Sequence, residues 1–127
     1  MRLFVTFLGI VSVSTMPAAA AGLATVEFLS GCRSFARSVE DKSALQTPDL
    51  GAAVRCGALI EGTLSGYEYA YVWAGTRSDI CIEAGVSAYQ KAKILIKFGD
   101  DNPKFLNEPA TFFILIAMKD TFSCKAR

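Results

Sequence analysis

Histidine is absent from all 127 residues. No Ser-His-Asp triad, Cys-His pair or imidazole proton shuttle can be assembled from this chain, and no metal site can draw on imidazole. Carboxylates remain, and Asp100-Asp101 is their most conspicuous pairing. Adjacent carboxylates in a turn point apart, so the pair reads as a solvated acidic turn closing a helix rather than an acid–base couple. Net charge is also scarce: Lys and Arg number 13 against 12 Asp and Glu, for a balance of +1. A chain so nearly neutral offers no electrostatic footprint for nucleic acid or for an anionic membrane surface. Long apolar runs are few as well. Beyond the N-terminus the longest is FFILIAM at 112–118, far short of the roughly 20 residues a membrane-spanning helix needs. These absences argue against an enzyme, a nucleic-acid binder and an integral membrane protein.

What is present begins at the N-terminus. Arg2 is a minimal positive region, LFVTFLGIVSV (3–13) is an apolar stretch, and Pro17 leads into AAAAG (18–22). An apolar run of about a dozen residues with a small-residue exit reads as a cleaved secretory signal over 1–21, with cleavage after Ala20 or Ala21. Its only charged residue is Arg2, so its removal brings the 13 basic residues into balance with the 12 acidic ones. The remainder, 22–127, is expected to be a single exported domain with a modest core. Leu29-Ser30-Gly31-Cys32 fits a lipoprotein processing site, but such a cysteine must directly follow the apolar stretch, and Cys32 lies well beyond it, past Glu27. The expected mature protein is exported and carries no membrane anchor.

The cysteines number four, Cys32, Cys56, Cys81 and Cys124. An even count in a small exported domain reads as two disulfides. No two stand as C-x-x-C, so zinc is not indicated, and no metal or other cofactor is expected.

The periodicity predicts four helices. Residues 24–40 place Phe28, Cys32 and Phe35 on one face. DKSALQT (41–47) is a polar connector, after which Thr47-Pro48-Asp49 reads as an N-cap, a first-turn proline and a first-turn acid. The second helix runs from 48 through CGALIEGTL, where the glycines at 57, 62 and 66 are expected to allow close helix approach. Ser87 and Gln90 have the spacing of a capping box for a third helix over 87–98, stopped by Gly99-Asp100-Asp101-Asn102-Pro103. Asn107 is expected to cap a fourth, with Pro109 in its first turn. TFFILIAM (111–118), apolar all round, is a central buried helix or a buried strand; the proline and the continuation into Lys119-Asp120 favour helix.

The expected fold is therefore all-α, a small four-helix domain of two helical hairpins. Cys32 precedes the first connector by as much as Cys56 follows it, each about 12 Å from the turn at a rise of about 1.5 Å per residue. Cys81 precedes the third helix and Cys124 follows the fourth, at the same end of the second hairpin. Matched depth pairs Cys32 with Cys56 and Cys81 with Cys124. Each bridge stabilises by about 3–4 kcal/mol in the loop-entropy model.

An ordered set of residues also carries a resemblance. FLSGC (28–32) is followed by Cys56-x-x-x-Ile60-x-Gly62, then Cys81-Ile82-x-x-Gly85-Val86-Ser87-x-x-Gln90. Asn102-Pro103-x-x-Leu106 and a buried helix ending in Phe122-Ser123-Cys124 complete it. Together these resemble the Tai/Rap family of immunity proteins, which neutralise peptidoglycan amidase effectors of bacterial type VI secretion. Leu59, Glu83 and Ser123 depart from the residues usual there. The resemblance implies a periplasmic, all-helical, non-enzymatic inhibitor, often dimeric, that occludes the active-site cleft of a cognate cell-wall amidase toxin. Composition fits an exported helical chaperone or stress protein equally, and the aromatic faces of residues 66–75 would also suit the sugar-stacking platform of a glycan-binding module, a minor alternative.

For a partner surface, GYEYAYVWAG (66–75) sets Tyr67, Tyr69, Tyr71 and Trp73 at alternate positions. As a strand the four share one face; as a helix, 67 and 71 lie on one side and 69 and 73 on another. They read either as core packing or as an interface, where Tyr and Trp are enriched. The loops Gly75–Asp79 and Asp100–Phe105 carry mixed charge and read as plain connectors or as elements that enter a cleft. The expected contact set is Tyr69 and Trp73 as anchors, with Arg77, Asp79, Asp100 and Lys104 around them.

Overall fold

The computed structural model describes residues 22–41 and 50–125. The signal segment, most of the first connector and the expected cap at Thr47-Pro48-Asp49 lie outside these residues. Four helices follow one another: α1 (Thr25–Glu40), α2 (Leu50–Trp73), α3 (Ala88–Asp101) and α4 (Ala110–Phe122), with a 3-10 turn at Pro103–Phe105 before α4. No strand occurs among the described residues, and the expected all-α class holds. Both expected disulfides are present, Cys32–Cys56 and Cys81–Cys124, with Cα–Cα distances of 5.0 and 4.9 Å.

The core comes from one face of each helix. α1 contributes Phe28, Leu29, Cys32 and Ala36, spaced three and four apart so that they fall on one side. α3 adds Ala92 and Leu95, and α4 adds Phe113, Ile114, Ala117 and Met118. α2 buries only Ala53, Cys56 and Ile60, and nothing beyond Ile60. α1 packs most extensively on α2 and then on α3. Phe35, expected on the buried face, is half-buried and packs at the edge of the core.

The helix ends show where local signals suffice. The capping box opens α3 as expected: the Gln90 amide donates to Ser87 Oγ at 3.2 Å and the Ser87 amide to Gln90 Oε1 at 2.8 Å. The expected stop at Gly99 is not used. α3 runs on to Asp101, because Gly99 faces α1 and is buried there. A Cβ at Gly99 would stand 2.4 Å from Leu29 Cδ1, and one at Gly31 would stand 2.6 Å from the Ala52 carbonyl oxygen. These two glycines make the close helix approaches. The expectation for 57, 62 and 66 is corrected, since among the described residues no atom beyond the helix's own backbone and the adjoining residues lies within 4 Å of a Cβ at any of them. Gly62 and Gly66 are exposed and Gly57 is half-buried, on a helix that buries only one narrow stripe.

Asn107 does not cap α4. The helix begins at Ala110 with Pro109 at the N-cap and no side-chain cap. Its first amide instead donates to the Leu23 carbonyl at 2.9 Å, while the Thr25 and Val26 amides donate to the Glu108 and Leu106 carbonyls, each at 3.0 Å. The buried Thr25 hydroxyl adds a bond to Glu108 O at 2.7 Å. Backbone groups thus satisfy the free amides of α1 and α4 reciprocally, and neither helix needs a capping side chain. α4 is a helix but not a central one, for Phe112 on its outer side is 49% exposed.

Candidate functional site

The GYEYAYVW segment is the last part of α2, which removes the strand alternative. Helical spacing sends its aromatics two ways. Tyr67 and Tyr71, one turn apart, face inward with ring centroids 5.0 Å apart and are half-buried. Tyr69 and Trp73 face outward, 66% and 89% exposed, beside Val72 at 65%. A shallow concavity on this side is lined by Ser65, Glu68, Tyr69 and Val72. Uncovered aromatic and apolar surface of this kind has no role in the core, and interfaces are where it is enriched.

α2 ends in a turn that its sequence encodes. Gly75 has φ +67°, a left-handed conformation that costs glycine nothing. Its amide donates to Val72 O at 3.1 Å, and that of Thr76 to Tyr71 O at 3.0 Å, the paired bonds of a Schellman motif. The chain then passes through exposed Thr76 and Arg77.

Asp79 closes this loop onto two helices. Its Oδ1 accepts from Tyr67 Oη at 2.8 Å, and its Oδ2 pairs with Lys119 Nζ of α4. The Tyr67 proton is committed to the carboxylate, so Tyr71 donates to Tyr67 across 3.1 Å. The hydrogen bond from Lys119, then that from Tyr67, holds the Asp79 carboxyl below the usual carboxylate range. The bond with Tyr71, then partial burial and the bond to Asp79, pushes the Tyr67 phenol well above its ordinary value. The Lys119 ammonium is raised by the same carboxylate. Immediately beyond, Cys81 N donates to Phe122 O at 2.7 Å and Cys124 N to Asp79 O at 3.0 Å, beside the second disulfide.

The expected contact residues therefore fall into two groups. Tyr69, Trp73, Arg77 and Asp79 belong to the end of α2 and its following loop. Asp100 lies in the last turn of α3, where it pairs with Arg33 of α1 at 2.5 Å, and Lys104 lies in the following 3-10 turn, 5.1 Å from the Phe105 ring centroid. No hydrogen bond or ion pair joins the two groups among the described residues. Asp100 and Asp101 do point apart, the first to Arg33 and the second to Lys97 at 2.8 Å, though both lie within the last turn of α3 rather than after it. The sequence places Tyr67 and Tyr71 together on one helical side, as observed, but nothing local in it joins Tyr67 to Asp79. Sequence reasoning missed Lys119, which nothing in the local sequence connects to Asp79. Among the described residues no cluster of His, Cys, Asp and Glu could hold a metal ion, and all four cysteines are in disulfides.

The model of one protein family, described as Rap1a immunity proteins, matches residues 24–124. That span takes in all four helices and both disulfides. No curated protein and no solved structure matches the chain.

Proposed function

The chain belongs to the Rap1a immunity protein family, and from that premise we propose that it binds and inhibits a peptidoglycan amidase effector of type VI secretion in the periplasm. The observation that carries this reading is the family match across the helical domain from residue 24 to 124. In this reading residues 1–21 are a signal peptide removed on export. The two disulfides suit an oxidising compartment, and no described helix is long and apolar enough to cross a membrane. The protein acts by occlusion and not by catalysis, as an immunity protein does.

The toxin-facing surface we propose is the outer side of the end of α2 with its loop. Trp73 and Tyr69 are the anchors because they are large, aromatic and uncovered. Arg77 supplies charge at the edge. Asp79 is committed through both oxygens to Tyr67 and Lys119, so it contributes chiefly by holding the loop. Asp100 and Lys104 form a second, separate candidate contact. A homodimer is the other assembly in this reading, and the exposed side of α2 at Gly62 and Gly66, one turn apart, leaves room for a helix of a second copy.

Export of a cell-wall amidase encoded beside this gene should lyse a cell that lacks the protein. Co-expression of the full chain should restore growth, and deletion of 1–21 should abolish the rescue, because the toxin works outside the cytoplasm. Growth arrest unrelieved by the exported protein, with no complex in a mixture of the two purified proteins, would overturn the reading.

A further inference from the structure

The two disulfides differ in access. Cys32 and Cys56 are 0% and 1% exposed, sealed between α1 and α2. Cys81 is exposed and Cys124 half-buried, and both lie outside the helices. Exchange begins with a thiolate reaching a disulfide sulfur, so access governs which bridge reacts first. We propose that Cys81–Cys124 is a thiol–disulfide exchange site for a dithiol reductant, opening locally while Cys32–Cys56 stays closed.

The step balances with the dithiol as the two-electron donor. One of its thiolates attacks Sγ of the more exposed Cys81, the S–S bond breaks, and Cys124 leaves as a thiolate that takes a proton from solvent. The second thiol of the reagent attacks the mixed disulfide, releasing Cys81 and closing the reagent's own disulfide. An acceptor for the new Cys124 thiol is already in place: its sulfur lies 3.3 Å from the Ser78 carbonyl oxygen. In the bridge that sulfur has no proton to donate, so the hydrogen bond becomes available only on reduction.

Opening leaves the helical core intact. The buried cluster draws on α1 through α4 and includes Cys32 and Cys56 but neither Cys81 nor Cys124. Besides the bridge, the junction between the loop and the end of α4 is held by the bonds Cys81 N to Phe122 O and Cys124 N to Asp79 O, by the bonds of Asp79 to Lys119 and Tyr67, and by Ile80 and Ile82 at the edge of the core. The pair is partly exposed, 58% at Lys119 and 37% at Asp79. Reduction therefore loosens the segment that carries Arg77 while the four helices stand.

The test uses the oxidised, signal-free protein in graded dithiothreitol, quenched with a maleimide mass tag and mapped by peptide. At one fixed reaction time, short of equilibrium, Cys81 and Cys124 should take the tag at a reductant concentration about tenfold below that needed for Cys32 and Cys56, since access sets the rate of exchange. In that first step far-UV circular dichroism should stay unchanged and amide exchange should quicken at Cys81 and Cys124. Tagging of Cys32 and Cys56 first or simultaneously, or loss of helicity in the same step, would overturn the proposal.

Discussion

Gly99 of α3 lies so close against Leu29 of α1 that a Cβ at position 99 would come within 2.4 Å of Leu29 Cδ1 and 3.4 Å of Phe113 Cζ. Leu29 and Phe113 are both fully buried, so Leu29 Cδ1 can give way only by repacking the core around it. Gly99→Ala should therefore cost about 1–3 kcal/mol by overpacking. Gly62→Ala and Gly66→Ala meet no atom of another described element within 4 Å, and each should stabilise by about 0.5–1 kcal/mol, the ordinary gain of alanine over glycine inside a helix. Urea denaturation of the three variants reads the opposite signs directly.

Trp73→Ala should leave thermal stability nearly unchanged, because the side chain is 89% exposed and makes little of the core. Toxin binding should weaken by about 2 kcal/mol or more if Trp73 is an anchor of the interface. Paired melting and titration experiments separate the two effects. A lowered melting temperature with binding intact would remove Trp73 from the surface.

The Asp79 carboxyl is depressed in the folded protein, first by Lys119 and then by Tyr67. A depressed acid contributes stability that is fully present above its unfolded pKa, about 4, and is lost as pH falls through the lower folded value. The melting temperature of the native protein should exceed that of Asp79→Asn at neutral pH, with the gap steady down to about pH 5 and closing below about pH 4. Melts of both proteins across pH 3–7 check this; a gap that widens on acidification would contradict the assigned bonds.

Arg33 and Asp100 form an ion pair whose side chains are 44% and 59% exposed. A double-mutant cycle with Arg33→Gln and Asp100→Asn should return a coupling of about 0–1 kcal/mol, falling in high salt, as expected where solvent screens both charges. A coupling well above that range would mean that the pair locks α1 to α3 rather than decorating their junction.

Features that one segment or one pattern encodes were fixed by the sequence itself. The capping box at Ser87 and Gln90 is local, and both its bonds form. The disulfide pairing followed from matched depth along antiparallel helices, since a short bridge can join only cysteines brought level. Tertiary structure decided what depends on contacts between distant segments. Gly99 has the composition of a helix stop, yet α3 continues through it because α1 needs its missing side chain. Pro109 rather than Asn107 starts α4 because the backbone of residues 23–26 occupies the local bonds. The aromatic stretch alternates in sequence, but helical rotation turns Tyr67 and Tyr71 inward, half-buried with Tyr67 bonded to Asp79, and leaves Tyr69 and Trp73 bare. Lys119 joins that cluster only because the second disulfide and the Ile80–Ser123 bridge bring the end of α4 beside the loop. Propensity acts over a few neighbouring residues, whereas close approach and charge pairing depend on which helices meet, and that is set by the packing of the whole core.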